Sequence, residues 1–379
     1  MVLVYQEEMG AQHSVTNILQ NWEEWDLTLS GAPGNCVAEI LVEYPGVFAD
    51  GDLEAYPGVR EKGSALERTH TLSPQRSSDS MATFRVNVDE DGVIEIKDNY
   101  LNIVFPSSVQ VPHCLFRVIG WFKGATYIEL EGIHLGDTDG AWDATDIFTS
   151  HGVPKGSVCD VAIGCEGDDG VEEVGIRNPD DAGYKYKLND CAYGIGLNAV
   201  YIWCKTDTTN GEIEFWCDED SHADGYVMGY WEIDVDYDKV QANVVPSGAS
   251  AWVNHNLTGI GVIKNGIPCL VGFNREDATV NLCGIREDAA TALSRYRNVD
   301  YGFNDTHATC ISMCIRAITD NATVELYTGD VTDAFFICDG YLHSKYPLAK
   351  IDGVSLANIA KIDGVSIDDV AGVNGYPIT

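Results

Sequence analysis

One acidic segment of the sequence has the residue types and the spacing that could bind a metal ion. Asp137, Asp139 and Asp143 place carboxylates at intervals around Gly140, as the loops of calcium-binding proteins do. The segment lacks the bidentate glutamate that closes an EF-hand loop, because position 148 is a phenylalanine. We therefore favour a solvated acidic turn over a calcium site, and we expect no other cofactor.

A second group of charged residues recurs three times along the chain. An arginine closes each of three Gly-apolar-Arg tripeptides, and a glutamate flanked by apolar residues follows it 35 to 39 residues later. The pairs are Arg60 and Glu95, Arg177 and Glu214, and Arg286 and Glu325. Because a partly desolvated arginine–carboxylate pair is costly to break, we predict that each pair fixes the arrangement of strands within its own repeat. The alternative is that the three arginines line a binding face, but a repeated position is more often a requirement of the fold than a site.

Signatures of enzymes are absent from the sequence. It contains no nucleophile elbow, HExxH zinc motif, phosphate-binding loop or protein-kinase signature. The nine histidines are scattered singly, and no CxxC pair points to a zinc site. We therefore predict that the protein is not an enzyme. A carbohydrate-active enzyme remains a third alternative. With 59 acidic residues in the chain, the sequence neither identifies nor excludes a catalytic pair of carboxylates for glycoside hydrolysis.

The twelve cysteines need a separate explanation. Most of them lie inside apolar runs, where a reduced cysteine behaves as a small hydrophobic core residue. We therefore expect buried free thiols. Cys204 and Cys217 flank a turn and are the pair most suited to a disulfide.

The segments that carry the arginines and glutamates are themselves repeated. Each copy runs from a tryptophan through an apolar segment opened by glycine to the arginine, the glutamate and a closing glycine–aromatic pair. The tryptophans are Trp25, Trp142 and Trp252, and the closing pairs are Gly120-Trp121, Gly229-Tyr230 and Gly340-Tyr341. Landmarks in the same order three times predict a triplicated domain. We place an arm at residues 1–11, the repeats at 12–123, 124–232 and 233–345, and a tail at 346–379.

The local pattern within each repeat is typical of β-structure. Short segments with alternating or β-branched residues, such as 84–88 and 93–96, are separated by turns rich in Gly, Asn and Asp. Residues 14–25 have helix-like spacing and are expected to form a short helix or an irregular lead-in. The sequence predicts an all-β fold of three tandem antiparallel β-sandwich domains, jelly-roll-like, with a short β-repeat tail. The repeated tryptophans are expected to pack in cores rather than to stack on sugars.

The C-terminal tail has a repeat of its own. Residues 349–359 and 360–370 share the motif Ala-Lys-Ile-Asp-Gly-Val-Ser, and a degenerate copy follows. The apolar positions are Ile351, Val354, Ile362 and Val365. The motif indicates small strand–turn–strand units, which cannot bury an apolar face alone and should dock on another surface or on copies of themselves. The alternative is a disordered end.

The charge of the chain limits its partners. With 23 Lys and Arg against 59 Asp and Glu, the formal net charge is −36, whereas a nucleic-acid surface requires a basic stripe. No stretch has the apolar length of a transmembrane helix, so membrane insertion is not expected. The N-terminal residues lack the features of a signal peptide, and we expect synthesis in a cytoplasm.

The tail motif carries a family resemblance. Ile-Asp-Gly-Val repeats near a C-terminus resemble the tails of structural proteins in tailed-phage virions and prophage regions. The segment 58–68, Gly-Val-Arg-Glu-Lys-Gly-Ser-Ala-Leu-Glu-Arg, is similar to β-rich phage-associated proteins, and the second and third repeats lack its Gly-Ser-x-Leu-x-Arg continuation. The resemblance implies a virion protein assembled in the host cytoplasm, and it implies no catalytic residues.

The resulting hypothesis is a structural protein of a virion or filament. It would be a fibre, tail or head-decoration component that acts by self-assembly and packing, as a homo-oligomer and with other virion proteins. The alternative is a receptor- or glycan-binding adhesin that recognises a host surface glycan or receptor through exposed aromatics such as Tyr184 or Tyr186.

Overall fold

The chain is almost entirely β-structure. The computed structural model describes residues 3–8, 13–14, 19–44, 55–69, 80–98, 114–136, 139–165, 171–181, 184–189, 198–218, 223–232, 234–274, 281–287, 296–299, 310–317, 319–329 and 334–345, and six dipeptides of the tail. None of the helices in this part of the chain has the length and apolar character needed to cross a membrane.

The first sandwich consists of two antiparallel sheets. Its strands are β1 (Val4–Glu7), β2 (His13–Ser14), β3 (Leu19–Asp26), β4 (Val37–Tyr44), β5 (Gly58–Glu61), β6 (Ser80–Asn87), β7 (Val93–Asp98) and β8 (Leu115–Lys123). One sheet has the order β1-β8-β4-β6, with β2 also paired to β8, and the other has the order β3-β7-β5. A short 3-10 helix, Thr28–Ser30, follows β3.

The second sandwich has eight strands and a short helix. They are β9 (Tyr127–His134), β10 (Trp142–Asp146), α1 (Ile147–His151), β11 (Val158–Cys165), β12 (Val171–Arg177), β13 (Tyr184–Asn189), β14 (Asn198–Lys205), β15 (Glu212–Cys217) and β16 (Ala223–Trp231). The sheet orders are β9-β16-β11-β14 and β10-β15-β12-β13.

The third sandwich repeats the second strand for strand. It comprises β17 (Val235–Val244), β18 (Ala251–Asn256), a 3-10 helix at Thr258–Ile260, β19 (Ile267–Asn274), β20 (Asn281–Glu287), β21 (Tyr296–Val299), β22 (Cys310–Cys314), β23 (Thr323–Thr328) and β24 (Ala334–Ser344). The sheet orders are β17-β24-β19-β22 and β18-β23-β20-β21.

All three sandwiches share one topology. Counted within the second or third sandwich, the strands lie in the order 1-8-3-6 in one sheet and 2-7-4-5 in the other. The described strands of the first sandwich follow the same order without the fifth strand. Two antiparallel sheets woven in this way from eight strands form a jelly roll. The predicted all-β fold of three jelly-roll-like sandwiches is therefore confirmed.

Several local expectations differ from the structure. Residues 19–26 of the segment expected to be helical or irregular form strand β3, because their backbone pairs with β7. The arm placed at residues 1–11 contains β1, which pairs with β8 as part of the first sandwich. The boundaries placed after residues 123 and 232 fall in the short connections between β8 and β9 and between β16 and β17.

Nine cysteines of the described part of the chain are buried free thiols: Cys36, Cys114, Cys159, Cys204, Cys217, Cys269, Cys283, Cys314 and Cys338. Cys204 and Cys217, the pair most suited to a disulfide, are both free thiols and lie on β14 and β15, which belong to different sheets. Burial raises the pKa of Cys36, Cys204 and Cys283 to about 12, so these thiols stay protonated and pack as small apolar groups.

Candidate functional site

The recurring arginine and glutamate lie side by side on the outer face of each sandwich. Arg60 Nε donates to Glu95 Oε2 at 2.7 Å, and the pairs Arg177–Glu214 and Arg286–Glu325 have distances of 2.5 and 2.6 Å. The strand register explains this geometry, because each arginine is directly opposite its glutamate across an antiparallel pair of strands.

A tryptophan completes each of these clusters. The guanidinium carbon lies 4.0, 4.3 and 4.2 Å from the ring centroids of Trp22, Trp142 and Trp252. In the first sandwich this tryptophan is Trp22. The sequence comparison had instead matched Trp25 with Trp142 and Trp252. Residues three apart in a strand face opposite sides, and Trp25 points into the core with 7% exposure.

The glycine of the Gly-apolar-Arg motif makes room for the tryptophan. A Cβ atom on Gly58 would lie 2.6 Å from the Trp22 ring, so a larger residue would push the ring off the sheet. The Trp22 ring thus contacts both β5 at Gly58 and the guanidinium of Arg60.

The other residues assigned from sequence are placed as follows. Asp137 lies outside the described residues. Asp139 forms an isolated backbone β-bridge with Cys217, and Asp143 lies on β10. In the described ranges no three His, Cys, Asp or Glu side chains come together as a metal site. At the end of the same segment, Asp146 caps α1 by accepting a hydrogen bond from Thr149 N at 2.8 Å, which lowers the Asp146 pKa.

The described dipeptides of the tail pair as short antiparallel strands, in line with the predicted β-repeat tail. The pairs are β25 (Lys350–Ile351) with β26 (Val354–Ser355), β27 (Lys361–Ile362) with β28 (Val365–Ser366), and β29 (Gly372–Val373) with β30 (Tyr376–Pro377). Ile351 is opposite Val354, and Ile362 is opposite Val365. The side chains of the tail, like those of Tyr184 and Tyr186 on β13, lie outside the described part.

The main feature that the sequence did not reveal is the contact between sandwiches. Strands β4, β11 and β19 carry an apolar residue at the same position: Leu41, Ala162 and Val271. The preceding residue of each strand faces the core of its own sandwich, so this side chain faces the opposite way. Leu41 packs into the core cluster of the third sandwich, Ala162 into that of the first, and Val271 into that of the second. The contacts therefore run around a closed cycle.

Polar contacts repeat the same cycle. Glu7 Oε1 accepts a hydrogen bond from Glu287 N at 2.8 Å, and Glu129 Oε2 accepts one from Glu61 N at 3.1 Å. At the third junction Lys239 Nζ donates to the carbonyl oxygen of Ile176 at 3.4 Å. A head-to-tail contact that returns to its starting unit closes a ring, so the three sandwiches surround a pseudo-threefold axis within one chain.

A buried arginine lies where the three sandwiches meet. Strands β6, β14 and β22 contact one another, and their equivalent positions hold Arg85, Trp203 and Cys314. Arg85 is fully buried; it pairs with Glu39 at 3.0 Å and with Asp160, and its Nη2 lies 3.3 Å from Cys314 Sγ. One guanidinium thus binds side chains from all three sandwiches.

Three tyrosines, one from each sandwich, surround this centre. The Tyr5 hydroxyl donates to Glu39 at 2.6 Å, that of Tyr127 to Asp160 at 3.1 Å, and that of Tyr237 to Asp339 at 2.6 Å. Burial, reinforced by the charge of Asp160, raises the pKa of Tyr127 well above its ordinary value, so the hydroxyl stays a donor.

The closing glycine of each repeat accommodates these tyrosines. A Cβ on Gly120, Gly229 or Gly340 would lie 2.0, 2.2 or 2.3 Å from the nearest atom of the facing tyrosine ring or hydroxyl. The glycine of the glycine–aromatic landmark is therefore required by the tyrosine on the neighbouring strand of the same sandwich.

Arg68 is a second buried arginine that the sequence did not reveal. It lies between the first two sandwiches, where it donates to the carbonyl oxygens of Leu130 and Met228 at 3.1 Å and pairs with Glu129 at 3.3 Å. Its position next to a turn gave no sequence signal for burial.

Comparisons with known proteins give no family. No protein-family model and no curated protein matches the chain. Among solved structures, the tandem CBM22 domains of a Paenibacillus barcinonensis protein align with 59% of this chain and 91% of their own, at 9% identity and a TM-score of 0.16. A structure of Sulfolobus Turreted Icosahedral Virus aligns with 90% of this chain and 91% of its own, at 9% identity and a TM-score of 0.19. Both scores are too low to carry a functional argument, and no sequence family supports the resemblance to tailed-phage proteins.

Proposed function

We propose that this protein is a structural component of a viral particle or filament and that it acts by self-assembly. The observation that carries the proposal is the closed ring of three jelly rolls around the buried Arg85. The finer assignment is a fibre, tail or head-decoration component of a tailed-phage virion, assembled in the host cytoplasm with other virion proteins. The proposal gives the protein no catalytic role.

The arrangement of the interior supports a scaffold. Charged side chains of the first and second sandwiches and a thiol of the third meet in a buried centre. The net contribution of such buried charges to the free energy of unfolding is small or unfavourable. Such a centre defines one relative orientation of the three sandwiches. A block of fixed shape that presents three similar outer sheets suits packing in a regular array.

The ring leaves further assembly to other surfaces. Because the lateral contacts between sandwiches return to their start, they cannot also propagate a polymer. The tail leaves from the junction of the first and third sandwiches, where Leu3 N donates to Ser344 Oγ at 2.9 Å. Its small hairpins cannot be stable alone and are the segment best suited to link copies.

Light scattering coupled to size-exclusion chromatography, with negative-stain microscopy, tests this function. The full chain is expected to form defined oligomers or filaments, and a chain lacking residues 346–379 is expected to lose them. A full chain that remains monomeric at all concentrations, or oligomers that are indifferent to the deletion, would count against the proposal.

A further inference from the structure

A notch opens on the first sandwich beside the point where the tail leaves the ring. It encloses about 360 Å³. Its lining residues are Val4, Gln6, Gly31, Pro33, Trp121 and Lys123. Val4 and Pro33 supply apolar surface beside Trp121, which is itself only 9% exposed, and Lys123 and Gln6 supply polar groups at the rim. Leu29, two residues before Gly31, is 88% exposed, which is unusual for a leucine and extends the apolar surface.

The equivalent place on the third sandwich is filled by its own side chains. Tyr5 and Tyr237 are equivalent, so Gln6 corresponds to Asp238 and Trp121 to Tyr341. The Tyr341 hydroxyl donates to Asp238 Oδ2 at 2.6 Å, and His343 Nε2 lies 3.3 Å from the same oxygen. The open form is therefore not a consequence of the jelly-roll topology, because polar contacts close the same place on the third sandwich.

The tail hairpins have the chemistry to fill this notch. Each complete copy of the motif places an isoleucine opposite a valine, as in Ile351 and Val354, with Asp-Gly between them in the sequence. The apolar pair matches the surface of Val4 and Pro33, and the aspartate matches Lys123 at the rim. A two-stranded hairpin of this size needs such a surface to be stable.

We infer that the notch of one copy receives an Ile-Asp-Gly-Val hairpin from the tail of a second copy. This inference rests on the proposed assembly function and names the contact that performs it. The tail carries two complete motifs, so one copy can offer a hairpin to a second copy even when its own notch is filled. Chains of net charge −36 repel one another, and association needs a local apolar and charge-matched contact of this kind.

Photo-crosslinking in the full chain tests the contact. Leu29 is replaced by p-benzoylphenylalanine, which is tolerated because the side chain is exposed, and the crosslinked peptides are mapped by mass spectrometry. We expect SDS-resistant dimers whose crosslinks fall within residues 349–366. Crosslinks confined to a single chain, or to another segment, or no crosslinks at all, would overturn the inference. The matched control places the same residue at Ile263, which is 47% exposed in the equivalent loop of the third sandwich, and should give no tail crosslink.

A charge reversal gives an independent readout. Lys123→Glu is expected to weaken self-association of the full chain roughly three- to tenfold, as loss of one charge-matched contact does. Lys264→Glu, at an exposed lysine on the third sandwich, should leave it unchanged. A synthetic peptide of residues 349–366 should compete with assembly of the native chain and not of Lys123→Glu. If the chain assembles but none of these changes matters, the notch assignment is wrong and the assembly function stands; a chain that never assembles contradicts the proposed function itself.

Discussion

At the scale of single residues, the ring depends on Arg85, the one arginine among the three equivalent positions at the pseudo-threefold axis. The equivalent positions carry Arg85, Trp203 and Cys314, so the chain differs from a true homotrimer at its centre. In the sequence, Arg85 lies within an alternating strand and is typical of an outward-facing polar residue. Its burial comes from the other two sandwiches, which local pattern cannot show.

Replacing Arg85 tests whether it holds this centre together. Arg85→Met should destabilise the protein by about 3–5 kcal/mol, because Glu39 and Asp160 would remain buried without a counter-charge. Chemical denaturation measures the loss. Adding Glu39→Gln and Asp160→Asn to the same variant should restore part of it, and a loss below about 1 kcal/mol for Arg85→Met would contradict this role.

The glycines under the tyrosines make a second prediction at this scale. Gly120→Ala should cost about 1–3 kcal/mol or more, since its Cβ would overlap the Tyr5 hydroxyl, which lies 2.0 Å from that position. Gly259→Ala is the control, because no atom lies within 4 Å of a Cβ there. Equal thermal stability of the two variants would show that the tyrosine contact is not required.

At the scale of elements, the strand pairs that hold the recurring arginines could be predicted from spacing. The recurrence of an arginine, followed 35 to 39 residues later by a glutamate between apolar residues, was enough to propose Arg60–Glu95 and its two counterparts as pairs. The tryptophan of the first sandwich was assigned wrongly because β3 carries two tryptophans, Trp22 and Trp25, and the sequence alone did not show which of them shares a face with the arginine. The strand register shows that Trp22, like its two counterparts, lies two residues before the position opposite the glutamate.

The outer clusters are predicted to have a modest structural effect. Arg177→Ala should lower stability by about 1–2 kcal/mol, since the Glu214 pair is partly exposed and the Trp142 contact adds to it. The oligomeric state should not change. Denaturation and light scattering measure both quantities, and loss of assembly in this variant would instead support a binding role for the outer face.

The ion pair between β14 and β17 predicts a dependence on pH. Lys205 Nζ lies 2.5 Å from Asp236 Oδ1 and joins the second and third sandwiches. Burial opposes ionisation, but hydrogen bonds from Lys205 and Tyr237 N prevail and lower the Asp236 pKa below its ordinary 3.8. As the pH falls, the Asp236 carboxylate therefore takes up a proton in the unfolded chain before it does so in the folded chain. The pair stabilises the folded protein above pH 3.8, and this stabilisation is lost progressively as the pH falls from 3.8 through the lower pKa of the folded state.

Thermal melts between pH 6 and pH 3 test this dependence. The difference in melting temperature between the native protein and Asp236→Asn should shrink as the pH falls. A difference that stays constant over this range would show that Asp236 does not titrate with folding.

At the scale of the whole molecule, the sequence predicted three sandwiches in a row but not their closure into a ring. The relevant signal was the run of β4, in which both Ile40 and Leu41 are apolar although they face opposite sides. A strand that is apolar on both faces indicates a sheet covered on both sides. The sequence did not reveal that the second cover is another sandwich, because that depends on contacts between residues hundreds of positions apart.

The overall dimensions of the single chain test ring closure most directly. Small-angle X-ray scattering on the monomeric fraction should give a radius of gyration of about 21 Å, the value of a compact chain of this length. Three sandwiches arranged as a string would give about 30 Å, given roughly 13 Å for each sandwich. A value near 21 Å is the predicted result, and a value near 30 Å would contradict the closed ring.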